Sequence, residues 1–217
     1  MVILPLNKKL KKKIHRTIAL AQDVLVISVY DLFPKAVIHG GTAIWRCFGS
    51  NRFSEDVDLY LPIGLKKAGV GRFLDDLKRR GFTIEKFKTT ENAIFSRFSY
   101  VDAAVRCEAV FKNVESFVTK PFEMVDGTFM MVNTLSAEKV IEEKVSAYLR
   151  RRKVRDLYDI FFLLKFVEEK EETRDVLAKL LKDFKAPEDS DELKTLIVLG
   201  AVPNVKDMVG EIERWVR

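Results

Sequence analysis

Residues 36–61 have the sequence AVIHGGTAIWRCFGSNRFSEDVDLYL, in which two apolar segments flank a double glycine and a short helical pattern. The first segment ends at Gly40 and Gly41, as a strand does when a tight turn leads into a helix. The amino end of a helix presents backbone N–H groups and a positive dipole end, which favour an anion such as phosphate. This stretch therefore predicts a phosphate-binding turn, although glycine is also the default residue of any tight turn.

Two carboxylates stand at the start of the second apolar segment, at Asp56 and Asp58. Residues two apart on a strand face the same side of a sheet, so their charges repel unless a cation lies between them. Both could instead cap the turn before the strand, as aspartate often does. Two caps at this spacing before an apolar strand are unusual, so we favour metal binding. A phosphate-binding turn beside a divalent metal predicts phosphoryl transfer.

Three separated blocks of the chain resemble the DNA polymerase β-like nucleotidyltransferases, and within them the AbiEii/MenT branch. The branch comprises the toxins of type IV toxin–antitoxin pairs, and Gly-Gly-Thr at the turn is its form of the motif. The matching blocks are Gly40-Gly41-Thr42-Ala43 with Arg52-x-Ser54-x-Asp56-x-Asp58-Leu59, then Lys144-x-x-Ala147-Tyr148-x-x-Arg151, then Arg155-Asp156-Leu157-Tyr158-Asp159-Ile160.

The resemblance implies an α+β fold, with a polymerase β-like core of mixed β-sheet and flanking helices and a C-terminal helical region. It implies transfer of a nucleoside monophosphate from an NTP, with Mg²⁺ or Mn²⁺, to an acceptor hydroxyl. The acceptor it suggests is RNA, at the 3′ end of a tRNA, and the protein partner it suggests is a cognate antitoxin. Two rivals stay open: an enzyme that modifies a protein or a small molecule, and a non-catalytic RNA- or partner-binding module.

A third carboxylate of the metal site is expected on a neighbouring strand, as in the resembled superfamily. Glu108 is the acid inside an otherwise apolar strand, and we favour it as a metal ligand with Asp56 and Asp58. An edge-strand charge facing water is the alternative for Glu108. Asp102 is the rival acid, but it lies at a predicted turn.

Other candidates surround this site. Gly40, Gly41 and Thr42 are expected at the phosphates, and Arg52 and Ser54 are either phosphate contacts or ordinary surface residues. His39 is more simply a residue at a strand end than a general base. The resemblance implies that Lys144 contacts the triphosphate and that Asp156 helps to form the site, although Lys144 could also belong to a solvated basic stripe. Asp159 could serve the site or simply occupy the first turn of a helix.

Hydrophobic periodicity predicts a mixed α/β part followed by helices, with domains at 1–133 and 134–217. The helices are expected at 7–31, 42–48, 65–80, 136–152, from 154, 173–184, 190–199 and 205–216. The strands are expected at 35–39, 57–61, 82–89, 93–100, 104–111 and, as a hairpin around Asp126-Gly127, 122–124 and 129–132.

Composition adds limits on partners and location. The chain has 217 residues, 47% of them apolar, and a net charge of +6 that equals the charge of the basic block Lys8–Arg16. This block and Arg150–Arg155 are candidate RNA contacts, or else solvated helix faces. Two cysteines in no metal or disulfide spacing, with no long apolar run, favour a cytoplasmic protein that has no membrane partner.

Overall fold

A computed structural model describes residues 5–65 and 68–217. They form two compact units: unit one holds the described residues up to Gly49 together with Ser54–Thr134, and unit two holds Ser50–Phe53 and Leu135–Arg217. The predicted division into domains 1–133 and 134–217 stays a prediction. It did not foresee that residues 50–53 fold with the C-terminal helices.

Unit one is built on a mixed β-sheet. Its strands within the described residues are β1 Val37–His39, β2 Val57–Leu61, β3 Thr83–Thr89, β4 Ala93–Tyr100, β5 Ala103–Phe111, β6 Val118–Glu123 and β7 Phe129–Thr134, in the spatial order β3-β4-β5-β2-β1-β7-β6. Strand β2 is antiparallel to β1 and parallel to β5, while β1 is parallel to β7. The predicted hairpin is present but longer than expected, because pairing extends to Val118↔Thr134.

One face of the β4–β5–β2 region is buried and the other is open. Along β5 the odd-numbered residues are buried, whereas Arg106, Glu108 and Val110 are exposed, as the apolar–polar alternation predicts. Helices cover the buried face: the ring of Phe73 packs against those of Phe33 and Phe98. The chemistry-bearing residues of β2 and β5 therefore lie on the uncovered side.

The helices of unit one are α1 Leu6–Lys9, α2 Lys13–Leu32, α3 Gly40–Cys47 and α4 Ala68–Arg79. The predicted helix 7–31 is interrupted, because the backbone is extended at Leu10 and Lys12. Leu10 is buried at this break. The like charges of the neighbouring lysines also disfavour a continuous helix. The helix predicted at 65–80 appears as a 3₁₀ turn Ile63–Leu65 and then α4, with residues 66 and 67 outside the described part.

Unit two is helical, as the sequence pattern predicts. Its helices within the described residues are α5 Ala137–Arg151, α6 Val154–Leu163, α7 Lys170–Lys182, α8 Leu193–Leu196 and α9 Val205–Val216. Ser136 caps α5 by accepting a hydrogen bond from the backbone N–H of Lys139, and the predicted helix 190–199 is reduced to a 3₁₀ turn plus α8. In the part of the chain that the structure describes, no helix could cross a bilayer.

Candidate active site

The carboxylates of Asp58 and Glu108 belong to paired positions of two adjacent strands. Asp58 on β2 is the Cα partner of Glu108 on β5, so both side chains leave the same face of the sheet. Asp56 precedes β2 by one residue and lies two positions from Asp58. The three acids that the sequence singled out are thus gathered on the open face of unit one.

Gly40 is required by the position of Asp58. Its φ is +70°, and a Cβ at residue 40 would collide with Asp58 Oδ2 and lie 3.1 Å from Cγ. The Asp58 carboxylate therefore lies against the first residue of α3, where N–H groups and the helix dipole favour an anion. The helix begins at Gly40, two residues earlier than expected. Binding of nucleotide phosphates by Gly40 and Gly41 stays a prediction.

Thr42 anchors the segment that carries Asp56. Its side chain is fully buried, and Oγ1 donates a short hydrogen bond to the carbonyl of Asp56. Gln22 Nε2 donates to Thr42 Oγ1 at 3.4 Å and to the Ser54 carbonyl at 2.9 Å. The hydroxyl of Thr42 is therefore committed to the chain, which does not support the predicted phosphate contact of that side chain. Ser54 contacts Gln22 through its backbone carbonyl, and the phosphate role of its side chain stays a prediction.

Gln22 is a positioning residue that the sequence did not reveal. It is completely buried on α2, one turn from the buried Ile18 and Val26 and next to the buried Asp23. A long amide within an apolar helical stripe is a detectable signal, because a buried amide must find hydrogen-bond partners. The sequence could not show that those partners are Thr42 and Ser54.

Arg106 is the second missed residue. Its Nε and Nη2 donate to Asp56 Oδ1 and Oδ2 at 2.7 and 2.8 Å, a bidentate ion pair on the open face. The alternation of β5 places Arg106 on the same side as Glu108. The sequence alone did not indicate which acid the guanidinium contacts.

The side chains of this face are of the chemical type that binds a hard divalent cation. Three carboxylates and one guanidinium leave a formal charge of −2, and oxygen ligands suit Mg²⁺ and Mn²⁺. Among residues 5–65 and 68–217, however, no three Asp, Glu, His or Cys side chains converge closely enough to hold an ion. Both oxygens of Asp56 are instead bound to Arg106. Metal binding by Asp56, Asp58 and Glu108 is accordingly a proposal.

The electrostatics of Glu108 indicate crowding of negative charge. Partial burial, and then the charges of Asp58 and Asp56, raise the pKa of Glu108 above its ordinary value, against the opposing charge of Arg106. A raised pKa means that the ionised carboxylate is disfavoured in the folded protein. A cation between the acids would reverse this effect.

Glu108→Gln is expected to stabilise the metal-free protein. Removal of one of two like charges at paired strand positions should raise the free energy of unfolding by about 0.2–1 kcal/mol. Because the pKa is raised in the folded state, the gain should shrink as the pH falls through that pKa and the wild-type side chain becomes protonated. Urea unfolding in EDTA at neutral and acidic pH measures this, with the exposed Glu91→Gln as control. A loss of stability at neutral pH would contradict the crowding of charge.

Unit two contains a separate buried ionic network. Asp159 accepts two hydrogen bonds from Arg52, Nε–Oδ1 2.7 Å and Nη2–Oδ2 2.9 Å, and its Oδ2 lies 2.6 Å from Lys144 Nζ. Asp156 accepts from Lys144 at 3.2 Å and from Arg151 at 2.7 and 2.8 Å. Three cations and two carboxylates leave one surplus positive charge.

The network changes the interpretation of two candidates. Arg52 is buried with its guanidinium bound to Asp159, so this geometry does not support the predicted phosphate contact. Lys144 contacts the carboxylates of Asp156 and Asp159. Its role at the triphosphate stays a prediction, which the surplus positive charge of the network favours. Burial alone would raise the pKa of Asp156, but the Arg151 hydrogen bond and the charge of Lys144 hold it below its ordinary value. The role of Asp156 at the site also stays a prediction.

The two remaining sequence candidates have simple surroundings. Asp102 lies at the β4–β5 turn and forms an exposed ion pair with Lys13 at 2.9 Å. His39 stacks on Tyr60, with ring centroids 3.9 Å apart and an interplanar angle of 3°. The stacking agrees with an ordinary strand-end residue, although His39 is also the Cα partner of Asp58.

Comparison with known proteins identifies the family. The model of the family described as "Nucleotidyl transferase AbiEii toxin, Type IV TA system" matches residues 23–200. The chain belongs to the AbiEii family. The match spans both the acidic face of unit one and the ionic network of unit two, and it leaves out the basic block Lys8–Arg16. The resemblance inferred from the three sequence blocks is confirmed.

Solved structures agree with this assignment at the level of the fold. JHP933 from Helicobacter pylori is 20% identical, with 90% of this chain and 87% of that chain covered and a TM-score of 0.58. The nucleotidyltransferase toxin MenT4 from Mycobacterium tuberculosis is 16% identical, with 92% and 81% covered and a TM-score of 0.58. No curated protein matches in the sequence search. The predicted α+β nucleotidyltransferase fold is confirmed.

AbiEii membership makes the chain a nucleotidyltransferase of a type IV toxin family. The family implies an NTP as substrate and a cognate antitoxin as partner. These statements confirm the predicted enzyme class.

Proposed function

We propose that this AbiEii protein transfers a nucleoside monophosphate from an NTP to a hydroxyl at the 3′ end of an RNA, a tRNA being the acceptor to test first, and depends on Mg²⁺ or Mn²⁺. One observation carries the proposal: Asp58 and Glu108 are paired across β2 and β5, and the Asp58 carboxylate lies against the first glycine of α3. Carboxylates that can hold a metal, beside a helix amino end that can bind phosphate, are suited to phosphoryl transfer.

The reaction forms a bond between the acceptor oxygen and the α-phosphorus and breaks the bond to the bridging oxygen, so that pyrophosphate leaves and the hydroxyl proton is lost. Asp58 and Glu108 would hold the metal, with Asp56 as a third ligand. A bound Mg²⁺ would lower the pKa of the acceptor hydroxyl and neutralise charge on the phosphates. The backbone of Gly40 and Gly41 would orient the phosphates, and Thr42 would keep Asp56 in place through its carbonyl.

The open face beside the acids supports an RNA acceptor. Successive Cα partners run across the sheet from Lys88 through Phe95 and Glu108 to Asp58. The side chain of Phe95 is exposed to 45%, which is unusual for phenylalanine. Single-stranded nucleic acid binds surfaces that combine aromatic rings, on which bases stack, with cations that contact phosphates. A strand end stacked on Phe95 would bring its terminal hydroxyl towards the acids.

A parallel row strengthens the positive charge of this face. Lys86, Arg97 and Arg106 are successive partners on β3, β4 and β5, and all three are exposed. Arg97 pairs with Glu85 at 2.6 Å and Arg106 with Asp56 at 2.7 Å, so part of the charge is offset. Lysines on an edge strand also discourage strand-to-strand aggregation, which is the simpler explanation for Lys86 and Lys88 taken alone. The neighbouring exposed phenylalanine favours the binding surface.

The basic segments predicted as RNA contacts are partly neutralised within the protein. In the block Lys8–Arg16, Lys9 binds Glu123 at 2.7 Å and Lys13 binds Asp102. In the segment Arg150–Arg155, three cations are paired with acids of unit two: Arg151 with Asp156, Arg152 with Glu188 and Lys153 with Asp189. Both segments stay candidates, and the β3–β4–β5 face is the better one.

The proposed function is tested by incubating the protein with each α-³²P-labelled NTP, Mg²⁺ and total RNA or purified tRNA. Label should appear in RNA of tRNA size, with one pyrophosphate released per nucleotide incorporated, and EDTA should abolish both. Label in a protein band or a small molecule would show that the acceptor is not RNA and would contradict that part of the proposal. Absence of label and of pyrophosphate release would contradict catalysis on these substrates.

Loss of the cationic and aromatic residues of the open face should weaken RNA binding. Lys86→Ala/Lys88→Ala should reduce the slope of log affinity against log salt by about 1.4, since each phosphate contact on a single strand contributes about 0.7. Phe95→Ala should cost about 1–3 kcal/mol of binding free energy through lost stacking. Fluorescence anisotropy of a labelled oligoribonucleotide with the sequence of a tRNA 3′ end measures both effects.

The matched control is Lys78→Ala/Arg79→Ala on α4, which removes the same charge away from the open face. Equal effects from the control and the face variant would show a general charge effect and contradict the proposed surface.

A further inference from the structure

Arg106 is bound to the side chain of the proposed third metal ligand, Asp56. Its guanidinium binds both oxygens of Asp56, at 2.7 and 2.8 Å. The guanidinium contacts both carboxylate oxygens and places a positive charge against them, which opposes a cation at the same carboxylate. The ion pair and a metal complex of Asp56 are therefore alternative states of this face.

The position of Arg106 allows it to leave Asp56 without leaving the site. Its side chain is 57% exposed, and the residue lies two positions from Glu108 on the same face of β5. The charge of Asp56 is its strongest electrostatic neighbour, followed by those of Glu108 and Glu55. Because the Arg106 side chain is more than half exposed, water can solvate the guanidinium when it leaves Asp56, which keeps the cost of breaking the pair below that of a buried one.

Asp56 does not depend on Arg106 for its place. The backbone carbonyl of Asp56 is held by the buried hydroxyl of Thr42, which in turn accepts from Gln22. Release of the guanidinium would free the Asp56 carboxylate while the loop stays fixed at its backbone. The backbone of Asp56 is thus held in place, whereas the side chain of Arg106 is free to change its partner.

We infer that Arg106 holds Asp56 in the free protein and passes to the nucleotide's phosphates when the metal–nucleotide complex binds, so that Arg106 opposes the metal alone and favours the nucleotide. The inference rests on the proposed function for its ligands. A planar guanidinium that binds a carboxylate through two N–H groups can bind a phosphate in the same way, whereas lysine offers only a point charge. Arg106 then acts as a nucleotide-binding residue.

The neighbouring arginine provides a matched control. Arg97 is the Cα partner of Arg106 on β4, and its side chain is similarly exposed, but its ion pair is with Glu85 and not with a proposed metal ligand. The variants to compare are Arg106→Ala, Arg106→Lys and Arg97→Ala, each in the full chain.

Equilibrium binding of Mn²⁺, followed by electron paramagnetic resonance of the free ion, tests the first half without any turnover. Arg106→Ala should bind Mn²⁺ alone about three- to tenfold more tightly than the wild type, because a competing cation is removed. Binding of an α,β-non-hydrolysable NTP in the presence of Mn²⁺ should weaken about tenfold or more, since a charge-assisted bond to phosphate is lost. Arg106→Lys should lie between, and Arg97→Ala should match the wild type in both measurements.

Opposite signs in the two measurements are the diagnostic result. Equal or weaker Mn²⁺ binding by Arg106→Ala would overturn the inference, as would unchanged nucleotide binding. If the wild type transfers nucleotide and Arg106→Ala shows no opposite shifts, only this inference fails. If the wild type binds no Mn²⁺ even with the nucleotide present, the metal of the proposed function fails as well.

Discussion

Asp58→Ala is expected to lower nucleotide transfer by at least about 10³-fold while the protein stays folded. A metal held by this carboxylate supplies several kcal/mol of transition-state stabilisation, and each 1.4 kcal/mol corresponds to a factor of ten in rate. Stability should not fall, because the substitution also removes like charge opposite Glu108. Steady-state incorporation of labelled nucleotide and urea unfolding of the same preparation measure the two quantities.

The control for this variant is Asp75→Asn, which removes an exposed carboxylate from α4 of the same unit. It should keep full activity and full stability. Asp58→Asn, which keeps the side-chain volume against Gly40, should be as inactive as the alanine variant. Activity within tenfold of wild type in either Asp58 variant would contradict the metal-ligand assignment.

Asp159→Ala is expected to destabilise unit two strongly. The change leaves Arg52 buried without its bidentate partner, and removal of one member of a buried ion pair costs about 3–5 kcal/mol. Lys144 loses its 2.6 Å contact as well. Chemical unfolding followed by circular dichroism, which reports mainly on helices, measures the loss.

Two comparisons make this result specific. Asp191→Ala removes a fully exposed acid from the same unit and should change stability by no more than about 0.5 kcal/mol. The double variant Arg52→Met/Asp159→Leu should recover at least half of the lost stability, because apolar residues of similar volume often replace buried ion pairs without cost. A small effect of Asp159→Ala would show that Arg52 finds water or another partner.

The strand, turn and helix at residues 36–61 could be predicted because their signals are local. Glycines after an apolar run, and two acids before another, need no knowledge of distant residues. Glu108 could also be predicted as a candidate, because an acid that alternates with apolar residues can be recognised within a single strand. The pairing of Glu108 with Asp58 could not be predicted, because it depends on the position of β2 between β1 and β5 in the sheet.

The contacts that the sequence missed are those that join distant segments or depend on side-chain direction. Arg52 and Asp159 are 107 positions apart, and nothing near Arg52 marks it as a buried residue. Thr42 lies in the right motif, but its hydroxyl faces the chain and not the ligand side. Arg106 obeys the alternation of β5, yet only the folded register shows that its partner is Asp56. Local patterns define elements, and pairing between elements defines roles.

The contact between Gly40 and the Asp58 carboxylate has a genetic consequence. Every missense change at a glycine codon adds a Cβ, and here any Cβ displaces the acid as well as straining a backbone with φ of +70°. If Asp58 acts as proposed, almost every amino-acid exchange at residue 40 is expected to abolish the toxicity. Inherited loss of toxicity should accumulate at that codon more readily than at codons where conservative exchanges are tolerated.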